Sequence, residues 1–440
     1  MRLLTFKGGV HPPDAKSFSE KEAIKVIYPE VGSKLVFPMH QHIGAPCEPL
    51  VAKGDRVLIG QKIGEAGGFV SSPVHSSVSG TVIDVIPWLT PGGADSLSVV
   101  VENDGKIEEL PGLGKHTDYT TLSREQMLEM IKEAGIVGQG GAGFPTHVKL
   151  SPPPDKKIDT FILNAAECEP YLTTDHRVLL EEPDEIIRGV QMVLHLFPEA
   201  KAFIAIENNK PDALKLMSEK CKDIPRIEVV GLYTKYPQGA EKQLIFACTG
   251  REVPSGGLPA DIGCIVNNVD TIIAVERAIH RGRPIMRRVV TVSGKAVANP
   301  GNYKVRLGMK FDDLMNAVGG FKEEPYKIIS GGPMMGAAMY TLDVPIVKTA
   351  GAILCLTKDE CESPPEKSCI RCARCVSICP SGLMPLFLNA HVIHHDFDKF
   401  KKNNGVDCIE CGSCSYVCPA KRHLAQSIRY ARKQVLTKKA

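Results

Sequence analysis

Cys369-Ile370-Arg371-Cys372-Ala373-Arg374-Cys375-Val376-Ser377-Ile378-Cys379-Pro380 reads C-x2-C-x2-C-x3-C-P. The phrase returns as Cys408-Ile409-Glu410-Cys411-Gly412-Ser413-Cys414-Ser415-Tyr416-Val417-Cys418-Pro419. Three thiolates at this spacing wrap one corner of an iron–sulfur cube, and the fourth, carried out by the x3 step and the proline, ligates the other cluster of a pair. The spacing assigns Cys369, Cys372, Cys375 and Cys418 to one [4Fe–4S] cluster, and Cys379, Cys408, Cys411 and Cys414 to the second. A zinc site would use two separated pairs of Cys or His. A disulfide framework belongs to secreted chains, and nothing here suggests secretion. Two such clusters carry electrons singly and do no bond chemistry, so the remaining residues must supply the electron source.

The chain of 440 residues has room for three or four domains, and 43% hydrophobic and 23% charged residues are ordinary globular values. Met1-Arg2-Leu3-Leu4 meets Lys7 and a Gly pair before any apolar region develops, unlike a signal peptide. No uncharged apolar run reaches the roughly 18–20 residues that span a bilayer, so no transmembrane segment is expected. Fifteen cysteines point to a reducing compartment, eight as ligands and seven scattered as plain thiols. The net charge of +3 hides an asymmetry: residues 419–440 hold seven Lys/Arg and no acid, leaving 46 basic against 50 acidic residues elsewhere. Lys421, Arg422, Arg429, Arg432, Lys433, Lys438 and Lys439 read either as a solvated helix end or as a docking surface for an acidic partner or membrane. No nucleic-acid partner is expected.

Upstream, Gly8-Gly9-Val10-His11-Pro12-Pro13 is too rich in Gly and Pro for helix. Pro49–Val57, Ile59–Gly64, Ser72–Val74 and Val78–Val82 are short β-runs separated by Gly-containing turns, which predict a compact all-β unit. Over about residues 45–90 it resembles the biotinyl/lipoyl barrel-sandwich family. Where that family displays its modified lysine this chain has Gly67-Gly68-Phe69, so a structural or docking role is expected.

A helix over Ser123–Ala134 runs into Gly138-Gln139-Gly140-Gly141-Ala142-Gly143-Phe144-Pro145-Thr146, whose glycines let backbone N–H groups approach a phosphate or flat ring. The apolar strand Ile158–Leu163 stops at Asn164-Ala165-Ala166-Glu167-Cys168-Glu169-Pro170. Helices at Pro183–Leu196 and Pro211–Cys221 alternate with strands at Ala202–Ile206 and Ile227–Gly231, the pattern of a parallel α/β sheet that binds ligands beyond its strand C-termini. The Gly loop with Lys149, the Asn164–Pro170 stretch and Val266-Asn267-Asn268-Val269-Asp270-Thr271 resemble, in order, the flavin site of the NADH-oxidising subunit of respiratory complex I. That resemblance implies non-covalent FMN against the backbone of Gly138, Gly140 and Gly141, with Asn164, Asn267, Asn268 and Thr271 around its phosphate and ring. Phe144, Lys149 and Glu169 would face NAD(H), and Glu167 belongs to the same stretch. The family's tyrosine and Gly-Glu-Glu element is similar to Tyr236, Gly239, Ala240 and Glu241. Gln139 stands for the usual arginine, Ala166 for an Asp and Ala240 for one acid of the pair, departures that bear on nucleotide affinity.

Val289–Val292, Tyr303–Val305 and a helix at Phe311–Val318 are similar to the small β-grasp (SLBB-like) domain that follows in the same protein of complex I. Met334 and Met335, in Ser330-Gly331-Gly332-Pro333-Met334-Met335-Gly336, read as turn packing, and Cys361–Ser368 as a polar hinge. His391, His394 and His395 are expected on a helix between the cysteine runs. The expected organisation is α/β multidomain: 1–115 with the barrel-sandwich, 116–284 the FMN/NADH-binding α/β domain, 285–345 the β-grasp domain, 346–363 a connection, and 364–440 a two-cluster ferredoxin-like α domain with the basic tail. Gly8–Pro13, Gln41-His42-Ile43-Gly44-Ala45-Pro46, Ala166–Tyr171 and Ser330–Gly336 together resemble the RnfC family of the bacterial Rnf electron transport complexes. This resemblance implies a peripheral subunit on the cytoplasmic face of the membrane. It would exchange electrons between NAD(H) and ferredoxin, coupled to Na+ or H+ movement by partner subunits. A cobalamin reductase of the propanediol-utilisation type and a flavin-free electron relay or scaffold are the alternatives.

Overall fold

Thr160–Ala165, Lys201–Glu207, Ile227–Leu232 and Cys264–Asn268 form a wholly parallel sheet in the computed structural model, which describes residues 2–362 and 364–437. Met1, Ser363, Lys438, Lys439 and Ala440 lie outside the described residues. The spatial order is Ile227–Leu232, Lys201–Glu207, Thr160–Ala165, Cys264–Asn268. The chain thus winds outward from Thr160–Ala165 in one direction, then returns to add Cys264–Asn268 on its other side. The reversal falls between these two strands, and such a switch point opens a crevice at their C-terminal ends.

Alternate side chains of each strand enter two cores, as the period of two requires. Phe161, Leu163 and Ala165 pack with Ile186, Val190, Val193, Ile272 and Ile279 of the helices on one face. Ile162, Ala205 and Val266 pack with Leu244 and Ile245 on the other. Phe161 and Leu163 are fully buried, each contributing about 1.5–3 kcal/mol. Helices Pro183–Leu196 and Pro211–Cys221 match the sequence reading, each with proline in its first turn. The first strand starts two residues later than expected. Asp159 turns aside to accept two bonds from Arg251 at 2.7 and 3.0 Å, and the ladder begins at Thr160, opposite Lys201 and Cys264.

The N-terminal β unit is two antiparallel sheets. One orders Lys34–Pro38, Asp95–Asn103, Gly80–Leu89 and Arg56–Val57, the other Glu48–Pro49, Lys62–Glu65 and Val74–His75. Leu35, Phe37, Ile63, Val82, Val99 and Val101 fill the space between them. A further mixed sheet orders Lys25–Val26, Gly301–Arg306, Arg287–Ser293, Ala352–Leu356, Lys327–Ser330 and Ala337–Met339. It draws strands from outside the expected 285–345 segment. Residues 346–363 are not a mere connection, because apolar Ala352–Leu356, buried along its length, is a central strand between Arg287–Ser293 and Lys327–Ser330. The 1–115 region also reaches beyond its barrel-sandwich: Lys25–Val26 edges this mixed sheet, and Leu4 bridges to Leu232 of the parallel sheet.

The cysteine domain is helical, with Pro385–Ile393 and Leu424–Thr437 packed around Leu388, Phe400, Ile428 and Ala431. His391 lies on the first helix, but His394 caps its end and His395 turns into the left-handed region (φ 54°), so of the three histidines expected on this helix only His391 is helical. The N-terminal segment straps this domain to the parallel sheet. Val10 exchanges backbone hydrogen bonds with Tyr236, and the Gly9 N–H donates to the Ile378 carbonyl at 2.8 Å. A Cβ on Gly8 would lie 2.9 Å from that carbonyl oxygen, and one on Gly9 2.7 Å from Tyr236 O. Both residues also hold positive φ, 88° and 83°, so glycine is required twice over.

Candidate functional site

At the switch point Asn164 and Asn268 are direct register partners on adjacent strands. Asn268 caps helix Val269–Arg281: its Oδ1 accepts the Asp270 N–H at 3.0 Å, and its Nδ2 donates to Asp175 Oδ2 at 2.8 Å. The Gly loop lies over this helix start, where unpaired N–H groups and the helix dipole favour an anion. It is closed by the Gly138 N–H donating to Phe144 O at 2.9 Å and anchored by the Gln139 N–H donating to Thr271 Oγ1 at 2.9 Å. A Cβ on Gly140 would come within 2.9 Å of the Asn268 side chain, whereas one on Gly141 would meet nothing within 4 Å. Asn267 is 4% exposed, and its Oδ1 accepts no hydrogen bond among the described residues. An uncovered loop backbone, a helix N-terminus and an orphaned buried acceptor suit a ligand with a phosphate, hydroxyls and a ring N–H, which FMN has.

Two residues outside every motif complete this corner. Arg288, from the mixed sheet, bonds Gln139 Oε1, donates to Gln139 O at 3.3 Å and pairs with Asp270 at 2.6 Å. A cation thus stands beside the loop even though position 139 is glutamine. Asp175 is half-buried, and its carboxyl is pushed upward by burial, then by Glu167 and Asp270 nearby. No local pattern marks either residue; proximity comes only from the fold.

The Asn164–Pro170 loop and the Tyr236–Glu241 loop meet across the crevice. Asn164 Nδ2 donates to Gly239 O at 2.8 Å, and its Oδ1 accepts the Ala166 N–H at 3.1 Å. Lys149 and Glu241 form an ion pair at 2.5 Å, and Phe144 stands 36% exposed at the rim. Glu167 turns inward instead, accepting from the Asp175 N–H at 2.8 Å and Thr174 Oγ1 at 3.0 Å, with buried Lys16 3.9 Å away. Glu169 is held by the Met-Met turn, accepting the N–H of Met334 at 3.1 Å and of Met335 at 3.0 Å. Burial outweighs those donors and pushes Glu169 up to about 7. Tyr236 is 1% exposed; its hydroxyl lies beside Glu169 without a hydrogen bond of normal geometry, and burial pushes it up. Tyr236 packs with Val10 on Cys411.

In the cysteine domain Cys379, Cys408, Cys411 and Cys414 line one small cavity, with Cys379 reaching across from the other run. Burial pushes Cys414 up to about 12 and Cys408 up to about 11, and the other thiols of that set add to it. Cys375 is raised by burial first, and Cys418 and Cys369 contribute. Clustered thiolates that repel one another in this way fit a cationic centre, which would relieve the repulsion. Among the described residues no three His, Cys, Asp or Glu close to single-ion spacing. Backbone N–H groups of Arg371, Glu410 and Arg422 point at Cys369, Cys408 and Cys418 sulfurs at 3.3–3.5 Å. Cys369 and Cys372 are exposed; Cys411 and Cys414 are buried.

A doubly wound flavin-type sheet joined to a domain of two four-cysteine runs defines an electron-transfer chain of iron–sulfur flavoprotein type. Residues 131–277 match the family described as the Nuo51 FMN-binding domain, and residues 4–106 the RnfC barrel sandwich hybrid domain. Residues 289–338 match the SLBB domain and 368–423 the 4Fe-4S dicluster domain. The chain is 49% identical to the C component of the proton-translocating ferredoxin:NAD+ oxidoreductase complex of Clostridium ljungdahlii, covering 98% of this chain and 94% of that one. It is 45% identical to the C component of the Na+-translocating ferredoxin:NAD+ oxidoreductase complex of Acetobacterium woodii, covering 99% and 98%. A solved NAD+-reducing [NiFe]-hydrogenase in its air-oxidised state shares the fold at 20% identity and a TM-score of 0.51, over 73% of this chain and 62% of that chain. The chain belongs to the RnfC family, a component of ferredoxin:NAD+ oxidoreductase complexes. Among its described residues no helix is long and apolar enough to cross a membrane.

Proposed function

We propose that this subunit is the nucleotide-side electron port of an ion-translocating Rnf complex, peripheral at the cytoplasmic face of a bacterial membrane and exchanging electrons between NAD(H) and ferredoxin. A flavin supplies the junction between two-electron nicotinamide chemistry and one-electron cluster chemistry. Gly138, Gly140 and Gly141 would hold FMN by backbone, the Asn268-capped helix start its phosphate, and Asn164, Asn267 and Thr271 its polar edge. Phe144 and the Lys149–Glu241 pair would orient the nicotinamide nucleotide at the open rim. Glu167, Gly239 and Glu169 brace the surrounding loops, Glu169 from the side of the Met-Met turn. Residues 116–284 are assigned to this unit, 285–362 to a β-grasp unit and 364–440 to the cluster unit.

Cys379, Cys408, Cys411 and Cys414 would hold the cluster nearer the flavin, and Cys369, Cys372, Cys375 and Cys418 the outer one. The observation that carries this reading is Tyr236: it belongs to the loop that bonds Asn164 and at the same time packs on Cys411. The inner cluster would thus border the flavin crevice, and the outer one, with two exposed cysteines, would face a redox partner. The two relatives are named for different coupling ions, which fits an ion choice made in the membrane subunits. Their names also set aside the cobalamin-reductase alternative. The test is FMN content after gel filtration, with NADH-driven reduction of an artificial acceptor by the same sample. Protein that takes up no FMN on reconstitution, yet passes electrons through its clusters, is a relay and the proposal fails.

A further inference from the structure

A cavity of about 390 Å3 lies between helix Val269–Arg281, strands Arg287–Ser293 and Gly301–Arg306, and residues Val26–Tyr28. Its size falls within the roughly 300–1,000 Å3 of small-ligand pockets. Seven cationic side chains line it against two carboxylates, Glu182 and Asp270. Five of the seven are matched. Arg277 pairs with Glu182 and Glu185 at 2.6 and 2.8 Å, Arg281 with Glu185 at 3.2 Å, and Arg283 with Glu109 at 2.9 Å. Arg288 pairs with Asp270 at 2.6 Å, and Lys304 with Glu182.

Arg287 and Arg306 are the two left over. They are register partners on antiparallel strands, so their side chains leave the same face side by side. Neither guanidinium makes a hydrogen bond or an ion pair among the described residues; that of Arg306 lies 5.7 Å from the Tyr28 ring centroid. Burial lowers both, Arg287 to about 10 with Arg277 adding to it; Glu182 and Glu185 act against this on Arg287, and Tyr28 and Glu109 on Arg306, without overcoming it. Like charges directly opposed in a ladder are destabilising, and half-buried guanidinium groups without acceptors are costly. An arrangement that weakens the free protein in this way is relieved by an anion between the two forks, and guanidinium geometry matches phosphate oxygens bidentately.

We propose that this pocket is a second ligand site that takes the phosphate group of a small phosphorylated metabolite between Arg287 and Arg306, with the rest of the molecule against Ile27 and Tyr28. The site does not depend on the flavin reading. It does share a wall with the flavin crevice, since Gln139, Asp270 and Arg288 also line the pocket. The holoprotein is titrated with inorganic phosphate, pyrophosphate and ADP, against sodium chloride at equal ionic strength, by calorimetry and by melting temperature. Saturable binding and a raised melting temperature are expected, with binding at least tenfold weaker in Arg287→Gln and Arg306→Gln and FMN content unchanged. Binding of ADP alone identifies a nucleotide as the source, and binding of all three a phosphate group as such. The proposal is overturned if none binds saturably to the wild type, or if both variants bind as the wild type does. It is equally overturned if the variants lose FMN in step with the phosphate ligand, because the pocket would then be the flavin's own phosphate seat.

Discussion

Gly140 and Gly141 are adjacent glycines with different reasons for lacking a side chain. At Gly140 the reason lies inside the protein, since a Cβ would press on Asn268 at 2.9 Å, so Gly140→Val should destabilise the chain by about 1–3 kcal/mol in denaturant unfolding. At Gly141 the space is open. Gly141→Val should unfold within about 0.5 kcal/mol of wild type, as exposed substitutions do, while retaining at most a tenth of the FMN after gel filtration. A folded Gly141→Val protein with its full flavin would refute the seating of FMN on this loop. Glu169 makes a pH prediction. Its carboxyl is raised from an ordinary value near 4.5 to about 7 by burial, so the folded chain holds that proton more tightly than the unfolded one. The stability it contributes is full below about pH 4.5 and is lost as pH rises through about 7. The melting temperature of wild type should therefore fall relative to Glu169→Gln between about pH 4.5 and pH 7 and run parallel to it above about pH 8; parallel curves across the lower window would contradict the burial argument. Glu169 was visible in the sequence as part of a motif, but its partners were not, because Met334 and Met335 lie 165 and 166 positions away.

At the scale of elements, the cysteine runs repeat in backbone as well as in spelling. Arg371 and Glu410, Ala373 and Gly412, and Gly382 and Lys421 are each 39 positions apart, as Cys369 and Cys408 are, and all six hold positive φ. The cysteine spacing was legible, but these bends were not, since four of the six residues are not glycine. Each such residue costs on the order of 1–2 kcal/mol, which the bound metal must offset. Holoprotein should contain about eight iron atoms. Cys418→Ser should extinguish the EPR signal of the Cys369, Cys372 and Cys375 group, and Cys379→Ser that of the Cys408 group. Loss confined in each case to the nearer run in sequence would overturn the crossed ligation. The strand Ala352–Leu356 was missed because a buried apolar run of five has no periodicity to separate strand from helix or linker. Helix Thr174–Glu181 was missed because its start is satisfied by Glu167, outside any local capping pattern.

Across the whole molecule, the sequence exposed the order of the units and hid what joins them. Gly8–Pro13 read as a stretch unfit for helix and as one carrier of the family resemblance, and neither reading showed that it is the strap between the flavin-side sheet and the cluster domain. Gly9→Val should leave FMN and iron content intact and slow NADH-driven cluster reduction at least tenfold, because the side chain would force the strap off Tyr236 and Ile378. An unchanged rate would mean that the strap does not hold the electron path. The basic tail is likewise partly internal: Arg429 and Arg432 both grip Glu410 at 2.9 Å, within the Cys408–Cys411 loop. The strap also sets a timetable for synthesis. Gly9 leaves the ribosome early, but its partner Ile378 follows 369 positions later, about 20–75 s at roughly 5–20 residues per second. One side of the strap can therefore seat on Leu232 and Tyr236 long before Gly9 closes on Ile378, and a nascent chain stalled between those two points carries a strap with its other side still open.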